Sequence, residues 1–204
     1  MFQFSSIYEN MTMHQFINLL DNKGIFEHIS SGAVLDLGCG NGDNAFILGA
    51  RGFTVDALDK NEADIIFLRK CAEKKGLENL NLIAGLIEDF KPESKKYSLV
   101  IANNSLPFIV KEEVGRIVAD LSNSLVDGGF IWITLFGPSD EWAKNPDKSD
   151  STKGMSFFTQ EEGLRLLDSL NLKRYFISTE EGYGKTMKGN LKYWQIQKFL
   201  YRKP

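Results

Sequence analysis

Long apolar runs are missing from this chain of 204 residues: no stretch approaches the roughly 18 to 20 apolar residues that would cross a bilayer. The opening Met1-Phe-Gln-Phe-Ser-Ser6 has no basic stretch followed by an apolar core, so neither a membrane span nor a secretory leader is expected. Cysteine is scarce. Cys39 and Cys71 stand far apart and outside any C-x-x-C pair, which argues against a disulfide framework and against a zinc site; no metal is expected, and a reducing, cytoplasmic setting suits the chain. An excess of positive charge is lacking too. With 24 Lys and Arg against 27 Asp and Glu, the formal charge of -3 gives no overall pull toward a phosphate backbone, and nucleic acid is not an expected partner. Internal repeats, low-complexity tracts and interdomain linkers are also absent. With 43% hydrophobic and 25% charged residues, the chain can bury one sizeable core, so a single domain is expected.

Met13, Phe16, Ile17 and Leu20 recur at helical spacing, with Gly24 as a stop, and predict a helix outside any sheet. Short β-rich runs then alternate with helical stretches. The pattern predicts strands over Ala33 to Leu37, Phe53 to Leu58, Asn81 to Ala84 and Tyr97 to Ala102, with helices over Asn44 to Ala50 and Glu62 to Lys75. Val114, Ile117, Val118, Leu121 and Leu125 form one helical stripe, ended by Asp127, Gly128 and Gly129 before a strand over Phe130 to Leu135. Residues Phe136 to Phe158 break the rhythm with Gly137, Pro138, Pro146 and Gly154, and their length is that of a lid. Thr159 and Glu162 have capping-box spacing ahead of Leu164, Leu166, Leu167 and Leu170. Strands over Lys173 to Thr179 and Leu191 to Tyr201, joined by a turn with Gly182, Gly184 and Gly189, suggest an antiparallel hairpin. The expected fold is α/β, a mainly parallel seven-stranded sheet flanked by helices with that hairpin at one edge.

The most informative segment is Val34-Leu-Asp-Leu-Gly-Cys-Gly-Asn-Gly-Asp43, a strand running into a glycine-rich turn and then a helix. Gly38, Gly40 and Gly42 permit a tight turn and let a ligand lie against the backbone at the carboxyl edge of the sheet, with Asp36 facing it. The second strand ends in Asp59, roughly 20 residues on, where a carboxylate can accept hydrogen bonds from ribose hydroxyls. A third glycine of the dinucleotide pattern G-x-G-x-x-G would fall at Asp43, so a nicotinamide oxidoreductase is disfavoured.

In Asp36-Leu-Gly-Cys-Gly-Asn-Gly42, Asp59 and the fourth-strand segment Tyr97-Ser-Leu-Val-Ile-Ala-Asn-Asn-Ser-Leu106, the sequence resembles the class I S-adenosylmethionine-dependent methyltransferase family. The Gly137-Pro-Ser-Asp-Glu-Trp142, Phe157-Phe-Thr-Gln-Glu-Glu162 and Tyr193-Trp194 segments are similar to small tellurite-resistance-type members. The resemblance implies a Rossmann-like fold, S-adenosyl-L-methionine as cofactor, and methyl transfer to a small-molecule acceptor. It divides the single domain into an N-terminal helical cap (1–30), a cofactor-binding core (31–135), a lid (136–158) and a C-terminal helix and hairpin (159–204). Asp36, Gly38, Gly40, Gly42, Asp59, Ile87, Glu88 and Asn103 would bind the cofactor. Family members often carry an acid for the adenine amino group where Leu86 stands here, which leaves Ile87 N–H for the ring and Glu88 or Asp89 for the amino group.

Tyr8, Asn104, Phe136, Trp142 and Trp194 are candidates for the acceptor side, although many of the chain's aromatic rings must be core. Asn103 and Asn104 either offer side-chain hydrogen bonds to an acceptor or cap the turn after the fourth strand. No general base stands out. Tyr8, His14, Asn103, Asn104 and Asp140 are the candidates for a catalytic part, and the lack of a clear base suits an acceptor that is anionic or easily deprotonated. Cys39 is expected to pack rather than attack, His14 and His28 to be structural, and Lys91 to Lys96 to be a solvated loop. The alternative to an enzyme is a regulatory module that binds S-adenosylmethionine without turnover. Acceptor and oligomeric state are not legible in the sequence.

Overall fold

The computed structural model describes residues 13–29, 32–144, 154–185 and 191–204. Seven strands form one sheet in the order β3-β2-β1-β4-β5-β7-β6: β1 (Ala33–Leu37), β2 (Thr54–Asp59), β3 (Leu80–Ala84), β4 (Tyr97–Ala102), β5 (Leu125–Phe136), β6 (Lys173–Lys185) and β7 (Leu191–Arg202). The first five pair in parallel, and β7 inserts antiparallel between β5 and β6. This is the expected α/β sheet with its C-terminal hairpin. Among the described residues no helix is long and apolar enough to cross a membrane.

Alternation along the central strands builds two cores, one on each face. Leu35, Val100, Ile131 and Ile133 pack toward α5 (Lys111–Ser124), whose Val114, Ile117, Val118 and Leu121 are buried. Val34, Leu99, Ile101, Phe130 and Trp132 pack on the other face, under α1 (Met13–Asn22), α3 (Asp43–Ala50) and α4 (Glu62–Lys75). Phe16 of α1 meets the Trp132 ring at 5.1 Å, which anchors the N-terminal helix over the sheet. A short α2 (Ile25–His28) follows Gly24. The capping box at α7 (Gln160–Asp168) forms as the spacing predicts: Glu162 N–H donates to Thr159 Oγ1 at 3.1 Å and Thr159 N–H to Glu162 Oε2 at 2.7 Å.

Two boundaries differ from the sequence pattern by more than two residues. Helix α5 ends at Ser124, and Leu125 is already paired with Tyr97; β5 then advances five residues to Phe130 while β4 advances two to Leu99. The Asp127-Gly128-Gly129 turn signal therefore marks a bulge inside a strand instead of a helix stop. Gly182 and Gly184 lie within β6, opposite Trp194 and Lys192, because the Trp194 indole lies over the bare Gly182 backbone. Residues 136–158, the expected lid, are described only toward their two ends. Phe157 bridges to Phe136, Phe158 N–H donates to the Phe136 carbonyl at 2.8 Å, and Ser156 N–H to that of Pro107 at 2.8 Å, so the far end of the expected lid is fixed to the sheet. Its near end forms α6 (Glu141–Lys144), and 145–153 lie outside the described residues.

Candidate functional site

Strand β1 pairs with β2 on one side and β4 on the other, so the connection leaving β1 toward β2 and the one leaving β4 toward β5 run in opposite directions and open a crevice between the carboxyl ends of β1 and β4. Asp36 stands at the β1 end, 1% exposed, and its Oδ2 has no hydrogen-bond partner among the described residues. Burial drives its pKa up to about 7; the Ala45 N–H opposes the rise, and the nearby Asp59 and Asp43 add to it. A buried carboxyl with an unused oxygen is costly unless a ligand completes it.

The glycine loop that follows uses its own N–H groups. Gly38 and Cys39 N–H both donate to the Leu58 carbonyl (2.8 and 2.9 Å), Gly40 N–H to Asp59 Oδ2 (2.8 Å), and Gly42 N–H to the Cys39 carbonyl (3.0 Å). Asp59 Oδ1 accepts from Asn61 N–H at 2.8 Å. The loop is thus tied to the end of β2, and these four donors are not turned outward as an anion cradle. The glycines, expected to act alike, divide by surroundings. A Cβ on Gly38 would lie 2.4 Å from Ser105 Cβ, and one on Gly42 would lie 2.1 Å from Leu68 Cδ2 of α4, whereas one on Gly40 would meet nothing within 4 Å. Only Gly40 of the three faces open space; Gly38 and Gly42 let protein pack against protein.

At the end of β4, Asn103 Oδ1 accepts from Trp132 Nε1 at 3.1 Å. Asn104 takes a left-handed φ of 56°, its N–H donates to Thr134 Oγ1 at 2.6 Å, and the Thr134 hydroxyl donates back to Asn104 Oδ1 at 3.0 Å. Of the two roles open to Asn104, this geometry is that of a turn cap. Beyond β3, the Ile87 side chain lies 3.4 Å from where a Gly38 Cβ would stand, and Glu88 is half-buried with its carbonyl accepting from Arg116 Nη2 at 3.0 Å. Leu86 is 49% exposed. The Cys39 thiol is pushed up by burial and by Asp36 and Asp59, which opposes a thiolate nucleophile.

Residues 3–170 match the family described as tellurite resistance protein TehB. The chain belongs to the TehB family. A probable S-adenosyl-L-methionine-dependent methyltransferase TehB from Haemophilus influenzae is 32% identical over 114 residues, 55% of this chain and 39% of that protein. A malonyl-[acyl-carrier protein] O-methyltransferase from Halalkalibacterium halodurans is 28% identical over 173 residues, 77% of this chain and 62% of that one. The chain thus spans less than two thirds of each of these relatives' lengths. In fold it is similar to the crystal structure of Haemophilus influenzae TehB, with TM-score 0.75 and 22% identity over 94% of this chain and 62% of that one.

On this TehB-family fold the remaining candidates scatter. Phe136 is fully buried and meets Phe108 edge-on at 5.9 Å. Asp140 is buried at the start of α6, with Oδ2 accepting from Gln195 N–H at 3.3 Å. Trp194 lies on the hairpin, over Gly182. His28 is exposed and stacks on Phe130 at 6.1 Å. Tyr8 lies outside the described residues, as do the side chains of His14 and Trp142. Two polar residues at the site escaped the sequence pattern: Thr134, a lone hydroxyl on an apolar strand, and Ser105, directly after the asparagine pair.

Proposed function

We propose that the chain binds S-adenosyl-L-methionine in the β1/β4 crevice and transfers its methyl group to a small-molecule acceptor, releasing S-adenosylhomocysteine. The buried Asp36 carboxyl with its unpartnered oxygen carries this proposal: it stands at the switch point beside a loop whose N–H groups are already engaged. Such a site favours a cationic ligand over the pyrophosphate of a nicotinamide cofactor. The residues present fit the group, since two carboxylates border the crevice and Gly40 leaves room beside them. The name of the Haemophilus influenzae relative supports the cofactor, and the names of both relatives support methyl transfer.

When bound, the cofactor supplies an electrophilic methyl group on a sulfonium that leaves as a neutral sulfide. The chain's part is to bind and orient. Asp36, Gly38 and Asn103 are assigned to the methionine end, Gly40 and Asp59 to the ribose, and Ile87 and Glu88 to adenine. Gly42 would act through the packing of its loop on Leu68. The acceptor is assigned to the carboxyl ends of β4 and β5, beside the amino-terminal half of antiparallel β7, where Asn104 shapes the turn and buried Phe136 the floor, with Trp194, Tyr8 and Trp142 as further contacts. Asp140 already accepts from Gln195, so it is a poor free base, and positioning an acceptor that ionises easily provides the acceleration.

Calorimetry with S-adenosylmethionine, S-adenosylhomocysteine and NAD tests the ligand. Both adenosyl ligands should bind and NAD should not; tight NAD binding with failure of both at millimolar concentration would overturn the proposal. A panel of thiols, phenols, amines, carboxylates and selenium or tellurium oxyanions should then yield S-adenosylhomocysteine with at least one class. Binding without product on any acceptor would make the protein a regulatory module.

A further inference from the structure

Ser105 directly precedes the 3-10 turn Leu106–Phe108. A serine there ordinarily accepts an N–H from the turn it opens. This one makes no such bond. Its carbonyl takes the Phe108 N–H at 3.1 Å, while its hydroxyl is left without a partner among the described residues, although the residue is only 5% exposed. The side chain instead lies against the glycine loop, with Oγ 3.3 Å from where a Gly38 Cβ would stand. Ser105 is held there by its neighbour, since the paired bonds between Asn104 and Thr134 fix the left-handed turn just before it.

Two deeply buried polar atoms flank the start of the glycine loop, Ser105 Oγ beside Gly38 and Asp36 Oδ2 two residues before it, and neither has a hydrogen-bond partner among the described residues. An orphaned hydroxyl and an orphaned carboxylate oxygen each cost stability. Both can accept from one group that has several N–H donors and a positive charge, as a primary ammonium does.

We propose that Ser105 is a ligand-contacting residue that, together with Asp36, reads the ammonium of the amino-acid end of the adenosyl ligand. The inference rests on the cofactor assignment above and adds to it a side-chain determinant for one end of the ligand. It predicts selectivity among adenosyl thioethers: the contact exists only for a ligand that carries the amino-acid end.

Binding of S-adenosylhomocysteine and of 5′-methylthioadenosine, which lacks that end, is measured by calorimetry for the native protein and for Ser105→Ala. The variant should lose on the order of tenfold in affinity for S-adenosylhomocysteine, as expected for one hydrogen bond to a charged group, and none for 5′-methylthioadenosine. Asp36→Asn should show the same selective loss. Equal loss of both ligands in Ser105→Ala would mean that the serine only packs the loop, and unchanged affinity for both would mean that it touches nothing; either result overturns the inference while leaving the cofactor assignment intact. If the native protein binds neither ligand, the cofactor assignment itself fails.

Discussion

Asp36 and Asp59 border the same crevice but differ in what completes them. Asp59 has a backbone N–H on each oxygen, from Gly40 and Asn61, whereas Asp36 is buried with one oxygen unmet. Burial, reinforced by Asp59 and Asp43 against the Ala45 N–H, brings Asp36 to about 7, so near neutrality the free protein holds a proton that an unfolded chain, at 3.8, has lost. The group therefore favours folding at low pH, and that contribution fades as pH rises from about 4 through about 7. A cationic ligand reverses the balance by favouring the ionised carboxylate. Binding of S-adenosylhomocysteine at about pH 6 should thus release close to one proton, falling toward zero above about pH 8. Calorimetry in buffers of different ionisation enthalpy measures this directly. A buffer-independent enthalpy at the lower pH, or the same release from Asp36→Asn, would show that this carboxyl does not meet the ligand's charge.

At the scale of the element, the glycine loop is a joint between β1 and α3 whose three glycines serve different ends. Gly42, at φ 82°, lies against Leu68, so Gly42→Ala adds left-handed strain to a collision with the helix behind it and should cost about 2 to 4 kcal/mol of stability in denaturant unfolding. Leu68→Ala in the same chain should recover part of that loss. Gly40→Ala meets open space; it should cost only about 1 to 2 kcal/mol, from its φ of 55°, yet weaken ligand binding more than Gly42→Ala does. Equal stability losses at the two positions would contradict the division. That division was not legible in the sequence, where all three look alike, because the difference lies in Leu68 and Ser105, which arrive from other segments. What the sequence did carry was local: the strand-turn-helix order, Asp36 and Asp59 at strand ends, and the Thr159–Glu162 cap. The start of β5 is hidden in the sequence because Gly128-Gly129 has the chemistry of a helix stop, and only the pairing of Leu125 with Tyr97 makes the glycines part of a bulge. Ser105 is not legible in the sequence because a serine after two asparagines reads as turn chemistry, and its missing cap bond appears only in three dimensions.

Across the whole molecule, the parallel sheet keeps the proposed ligand site around Asp36 apart from a polar cluster on its opposite face that holds the strands together. Asp56, 4% exposed in β2, accepts from Tyr97 Oη at 2.7 Å and Asn81 Nδ2 at 3.3 Å and pairs with Lys96 Nζ at 2.8 Å, which joins β2 to β3 and to the start of β4. Lys96, in a run expected to be only a solvated loop, is thus part of the foundation. Burial raises the Asp56 pKa, but bonds from Lys96, Tyr97 and Asn81 outweigh it and hold the group below the usual carboxylate range. The stabilisation is therefore fully present above about pH 4 and is lost as pH falls through the lowered value. Asp56→Asn keeps the shape and removes the charge. It should cost roughly 1.5 to 3 kcal/mol at neutral pH, the scale of hydrogen bonds to a charged group, with the gap to the native protein closing as pH falls below about 4. Asp56 pairs in register with Leu35, next to Asp36, but strand alternation turns the Asp56 and Asp36 carboxyls to opposite faces of the sheet, so affinity for S-adenosylhomocysteine should be unchanged in the folded variant. Urea unfolding across pH, paired with calorimetry, separates the two effects. A stability gap that persists undiminished in acid would assign the loss to packing instead of charge, and a fall in ligand affinity would show that the two faces of the sheet are not independent.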